Sequence, residues 1–139
     1  PGLEVLPTGR GELRRQGKQV ALLAFGAMLT PALKAAEALN ATVANMRFVK
    51  PLDAELVRQL AASHDLLVTI EENALIGGAG SEVARELESS GLRTALLRLG
   101  LPDRFIDHGD SALLLAEVGL DDAGIVRSVT EKLAAGNNS

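Results

Sequence analysis

Cysteine, tryptophan and tyrosine are absent from these 139 residues, and phenylalanine occurs only at Phe25, Phe48 and Phe105. Without thiols there can be no disulfide, no thiolate zinc site and no cysteine nucleophile, and the composition suits a reducing cytosol. Scarce aromatic faces argue against a surface that stacks single-stranded nucleic acid or sugars. Positive charge is short as well: 14 Lys and Arg against 18 Asp and Glu leave a net charge of −4. That is the wrong sign for covering phosphates broadly. Arg10, Arg14, Arg15 and Lys18 gather near the start, but Glu12 interrupts them and the group reads as a solvated face. No apolar run is long enough to span a membrane, and no stretch reads as a secretory leader.

What remains is an ordinary globular composition, 47% apolar and 23% charged. A chain of this length forms one domain and buries roughly two-thirds of the surface it exposes when unfolded. Gln19–Gly26, Ala41–Val49, Asp65–Ile70 and Thr94–Gly100 read as strands, the first a near-continuous apolar run suited to cover on both faces. Between them lie helical patterns. In "TPALKAAEALN", Thr30 is expected as N-cap with Pro31 at the first helical position, and Leu29, Leu33, Ala36 and Leu39 mark a buried face. "LDAELVRQLAAS" repeats the pattern at Leu52, Leu56, Val57 and Leu60, with Asp53 complementing the helix dipole. "GSEVARELESSG" turns Val83, Ala84 and Leu87 inward and stops at Gly91. Helices are also expected over Ser111–Val118 and Asp122–Ala135, the latter with Ile125, Val126, Val129 and Leu133 as its stripe. Alternation of this kind predicts a three-layer α/β/α sandwich around a mostly parallel sheet. Residues 1–18 read as a leading arm or linker from a preceding domain, 19–135 as the domain, and 136–139 as a disordered tail. The start at Pro1 suits a piece of a longer polypeptide.

The stretch "TIEENALIGGAGSEV" (Thr69–Val83) concentrates the candidate chemistry. Glu71 and Glu72 end a strand, where α/β proteins place functional groups. Adjacent residues of an extended chain face opposite ways, so the two do not form an acid–base pair on one substrate. One of them caps the following helix or faces a partner. Gly78-Ala79-Gly80 is half of a dinucleotide fingerprint, but Val83 stands at the third glycine position and there is no phosphate-loop motif. His64 reads as a surface-turn residue. His108, among Asp103, Asp107 and Asp110, invites a metal or a His–Asp pair, but one histidine with loop aspartates is a weak donor set, and Ser111 reads as an N-cap. No catalytic, cofactor or metal residue emerges from this reading.

Three segments, "MRFVKPLD" (Met46–Asp53), "TIEENALIGGAGSEV" and "LPDRFIDHG" (Leu101–Gly109), are followed by "GLDDAGIVRSV" (Gly119–Val129). With "LPTGRGELRRQGKQVALLAFG" before them, they resemble in order and spacing the C-terminal domain of the 1-deoxy-D-xylulose-5-phosphate synthase family. That family belongs to the transketolase group of thiamine-diphosphate enzymes. The resemblance implies a mixed sheet of about five strands with one reversed. It also implies a complete enzyme that condenses pyruvate with glyceraldehyde 3-phosphate, loses CO2, and feeds isoprenoid, thiamine and pyridoxal synthesis. Thiamine diphosphate and Mg²⁺ are held by earlier domains through a G-D-G…N signature that this chain lacks, and the third domain packs on the second and contributes to a homodimer. In this light Glu71, Glu72 and Asn73 satisfy backbone amides or face a neighbouring domain or subunit, and Gly77, Gly78 and Gly80 allow a tight corner. No nucleic acid or membrane partner is expected. Two alternatives stay open: a stand-alone module taking a small anion at the helix after Gly78, and the equivalent domain of a transketolase or of a 2-oxoacid dehydrogenase β subunit.

Overall fold

The computed structural model describes residues 9–47, 49, 51–71, 78–100 and 120–137. Five strands form one sheet: β1 (Glu12–Arg15), β2 (Val20–Ala24), β3 (Thr42–Asn45), β4 (Leu66–Glu71) and β5 (Ala95–Gly100). Their spatial order is β1-β3-β2-β4-β5. The pairs β2–β3, β2–β4 and β4–β5 are parallel, and β1 runs antiparallel to β3. The reversed strand therefore lies inside the stretch read as a leading arm. "ELRR" gives no apolar alternation to announce it, because an edge strand buries little.

Helices α1 (Leu29–Leu39), α2 (Ala54–Ser63), α3 (Ala79–Ser89) and α4 (Asp122–Asn137) cover the sheet. The central strands β2 and β4 are buried at every position, which only a two-sided cover permits. Val20, Leu22, Ala24, Val43, Val68 and Ile70 pack with Ala32, Ala35 and Ala36 of α1 and with Ile125 and Val129 of α4. The intervening Ala21, Leu23, Ala44 and Leu67 pack with Val57 and Leu60 of α2 and with Val83 and Leu87 of α3. The period-2 alternation of the strands thus divides one sheet between two cores. This is the expected α/β/α sandwich with a mostly parallel sheet.

Several local expectations change. Thr30 is not the N-cap of α1. A 3₁₀ turn at Gly26–Met28 winds directly into the helix, so Met28 holds the cap position without a side-chain hydrogen bond. Pro31 then falls inside the first turn, where its missing N–H costs nothing. The buried face of α1 is alanine, with Leu29, Leu33 and Leu39 only partly buried beside it. Strand β3 is four residues long rather than nine. Met46 N–H still reaches the Ala24 carbonyl at 2.9 Å, but Arg47 then adopts a left-handed backbone (φ 63°) and turns the chain out of the sheet. Gly91 (φ 71°) does end α3, and the Leu92 N–H closes back on the Leu87 carbonyl at 3.0 Å. The expected Ser111–Val118 helix lies outside the described residues.

Candidate functional site: the carboxyl end of the sheet

Doubly wound sheets bind ligands where the strand order reverses, at the carboxyl ends of the two strands flanking that point. Here those strands are β2 and β4. The chain itself fills the position: Phe25 is buried, its N–H donates to the Ile70 carbonyl at 2.9 Å, and the 3₁₀ turn follows at once. Two cavities open further out along the same end of the sheet, one against α3 and one against α2.

The first is built around Glu71. It is the last residue of β4 and only 9% exposed. One carboxylate oxygen, Oε1, accepts from the Ala79 amide at 3.0 Å, and the other, Oε2, accepts from the Gly80 amide at 2.9 Å. Gly78, at the N-cap, has no side chain to do this, so the preceding strand supplies the capping anion from seven residues upstream. Gly80 brings the helix close to the sheet: a Cβ there would lie 2.8 Å from Arg98 Cδ and 3.2 Å from Thr69 Oγ1. The Thr69 hydroxyl is fully buried and has no hydrogen-bond partner. Glu71, Gly78, Gly80, Ser81 and Arg98 line a cavity of about 80 Å³. Glu72, Asn73 and Gly77 lie outside the described residues.

This geometry bears on two of the sequence readings. A pyrophosphate or a small anion at the start of α3 would need the amides of Ala79 and Gly80, and Glu71 already takes both. Val83, at the third position of the would-be fingerprint, is buried in the core beneath the helix. The corner is self-satisfied, with an internal carboxylate where a nucleotide-binding corner would hold a phosphate.

The second cavity, about 170 Å³, lies between β1 and α2. Asp53 is the N-cap of α2, and its Oδ1 accepts from the Leu56 amide at 3.1 Å. Its Oδ2 accepts from the Gly11 amide at 2.7 Å, tying the chain leading into β1 to the start of α2. Sequence reading assigned Asp53 to the dipole alone, since its 42-residue reach to Gly11 leaves no local signal. His64 lies at the opposite end of the sheet. Its Nε2 is 2.7 Å from Thr42 Oγ1, which accepts from the Gly17 amide at 2.9 Å, and its Nδ1 is 2.8 Å from the Leu60 carbonyl. That is a structural clasp at the end of α2. His108, Asp103, Asp107, Asp110 and Ser111 lie outside the described residues. Among the described residues no group of three His, Cys, Asp or Glu side chains could hold a metal ion.

The sequence pattern of the family described as transketolase, C-terminal domain, matches residues 9–125. The chain belongs to that family. It is 63% identical over 136 residues to a 1-deoxy-D-xylulose-5-phosphate synthase of Aromatoleum aromaticum, covering 98% of this chain and 22% of that protein. It is 63% identical over 127 residues to the synthase of Dechloromonas aromatica, covering 91% and 21%, and 61% identical over 132 residues to that of Nitrosomonas europaea, covering 95% and 22%. Among solved structures it resembles a split-gene transketolase described as an inactive beta4 tetramer. The TM-score is 0.83 at 34% identity, over 93% of this chain and 44% of that one. The chain thus spans about a fifth of the length of the curated relatives it matches. In this transketolase C-terminal domain, both buried carboxylates at the carboxyl end of the sheet are committed to backbone amides.

Proposed function

We propose that this chain is the C-terminal domain of a thiamine-diphosphate-dependent transferase of the 1-deoxy-D-xylulose-5-phosphate synthase type, and that its own work is assembly rather than chemistry. The near-full-length match at 63% identity to proteins of which it makes up about a fifth carries the reading. The complete enzyme condenses pyruvate and glyceraldehyde 3-phosphate with loss of CO2, is a cytoplasmic homodimer, and supplies isoprenoid, thiamine and pyridoxal synthesis. A thiamine diphosphate site needs free carboxylate and amide oxygens around Mg²⁺ and a carboxylate against the pyrimidine ring. The described residues do not fit that group: Asp53 and Glu71 are both spent on helix capping. No step of the reaction is assigned to them. The domain's contribution is a rigid two-core body whose carboxyl-end corner faces its neighbours.

The test uses the full-length polypeptide. Its reaction is followed as pyruvate-dependent CO2 release with glyceraldehyde 3-phosphate, and its assembly by sedimentation. Deleting residues 9–137 should abolish stable assembly and turnover together, while thiamine diphosphate still binds the remainder. Glu71→Ala should weaken assembly or stability in proportion to any loss of turnover. Lost turnover with stability and dimer affinity unchanged would instead make Glu71 part of the chemistry and overturn the assembly reading.

A further inference from the structure

We infer that the groove between β1 and the first turns of α2 is the surface on which the preceding part of the polypeptide packs. The inference rests on the reading that this chain is one domain of a longer enzyme. Arg10, Leu13, Asp53, Glu55, Leu56 and Gln59 line the groove. Leu13 is 47% exposed, the large hydrophobic side chain left most open among the described residues. It pairs in register with Ala44, whose side chain packs in the core on the α2 side, so Leu13 is presented toward the groove and not toward α1. Strand β1 is a sheet edge: among the described residues it pairs with β3 alone. An exposed leucine on an open edge is a liability that proteins cover or charge, and here Arg14 and Glu12 flank it while Leu56 continues the apolar floor.

The course of the chain supplies the occupant. The Gly11 amide is held by Asp53, and a Cβ on Gly11 would lie 2.9 Å from Leu56 Cδ2 and 3.3 Å from the Asn45 carbonyl. Just before it, Gly9 (φ 78°) runs beside Pro51. The polypeptide therefore arrives at this corner by one fixed route along the groove. The curated relatives carry about four-fifths of their length outside the matched part. Eight residues reach at most about 28 Å, so whatever precedes residue 1 is tethered within that distance of the groove. Such a tether gives an effective concentration in the millimolar range, enough for a modest patch to stay docked. The chemistry of the face describes its complement: an apolar knob over Leu13 and Leu56, a carboxylate toward Arg10 and a cation toward Glu55. That arrangement, apolar at the centre and polar at the rim, is the ordinary anatomy of a domain interface.

The experiment is thiol labelling of the full-length polypeptide carrying Leu13→Cys, Gln59→Cys or, as a reference on the exposed side of α4, Glu131→Cys. Rates at each position are read by mass spectrometry and divided by the rate in the same polypeptide denatured in urea. The expected result is that the Leu13→Cys and Gln59→Cys variants label about tenfold more slowly than the reference or slower still, at all protein concentrations. Equal labelling at the three positions overturns the inference. So does slow labelling that disappears on dilution, which would make the occupant a second copy of the chain. Slow labelling that persists after the preceding domains are cut away places the cover within this chain and also overturns it. If the groove is open while deletion of this domain still destroys assembly, the functional reading stands and the docking face lies elsewhere. If the groove is covered in a polypeptide with no transferase activity, the docking stands and the functional reading fails.

Discussion

The two ends of the sheet are closed by different physics. At the amino end the connections are short and made of backbone. Gln19 (φ 67°) centres a three-residue turn in which the Val20 amide meets the Lys18 carbonyl at 2.6 Å, and the Gln19 carbonyl accepts from both Asp65 and Leu66. Asn40 (φ 51°) ends α1 in the left-handed region, its amide reaching the Ala36 carbonyl. Neutral side chains finish the closure, with Thr94 Oγ1 donating to the Ala61 carbonyl and His64 clasping Thr42. At the carboxyl end, two buried carboxylates do the equivalent work over long sequence distances, and both cavities open beside them. Backbone closure tolerates no added volume, whereas carboxylate closure tolerates no loss of the acceptor. The amino end is finished, and the carboxyl end keeps surface to offer.

Substitutions sharpen that contrast, in descending order of effect. Gly17→Ala should be the most damaging, because a Cβ there would overlap the carbonyls of Asn40 and Ala41, neither of which is a flexible side-chain end. The expected loss is ~3 kcal/mol of unfolding free energy, read from the urea midpoint at unchanged slope. Glu71→Ala comes next, leaving the amides of Ala79 and Gly80 without their acceptor at a cost of about 2 kcal/mol. Glu71→Gln, which keeps one acceptor oxygen but loses the charge, should fall between it and the parent. If Glu71→Ala proved as mild as an ordinary surface change, the picture of a charge-held end would collapse.

Thr69→Val should go the other way. It removes a buried hydroxyl that has no partner and keeps the shape, so stability should rise by ~1 kcal/mol in the same titration. A loss would show that the hydroxyl is satisfied in solution. The smallest effect belongs to Glu86, whose carboxyl is held below the usual range by hydrogen bonds from Ser90 and Arg58. A lowered native pKa means that the unfolded chain binds more protons just below the ordinary carboxylate range. Stability from this group is therefore present above that range and lost as the pH falls through the native value. Glu86→Gln should flatten the acid limb of the stability–pH curve by roughly a few tenths of a kcal/mol, since the pair with Arg58 is largely solvated.

Elements with a strong apolar rhythm were legible in the sequence: β2, β4, α2, α3 and α4, and with them the layered class. What escaped depends on partners remote in the chain. Strand β1 is charged and exposed, and only its pairing with β3 makes it a strand. Thr30 looked like a cap because sequence does not show that the 3₁₀ turn before it already starts the helix. At the site, the residues themselves reduced the carboxylate pair to a cap or an interface. They could not say that Glu71 is the side chain that turns back to α3, because adjacent positions differ only in which face they present. The two-amide reach of Asp53 was invisible for the same reason as β1: its partner, Gly11, lies 42 residues away.

The edge position of β1 has a kinetic consequence. It is the first strand to be synthesised, yet its single neighbour, β3, begins at Thr42, after β2 and α1 have been made. Asp53, which fixes the approach to β1, is later still. Closing that long loop costs chain entropy that is recovered only when the pairing forms, so β1 is the last of these elements able to settle. Its antiparallel pairing with β3 therefore serves as a record of completed folding at the corner where the polypeptide arrives.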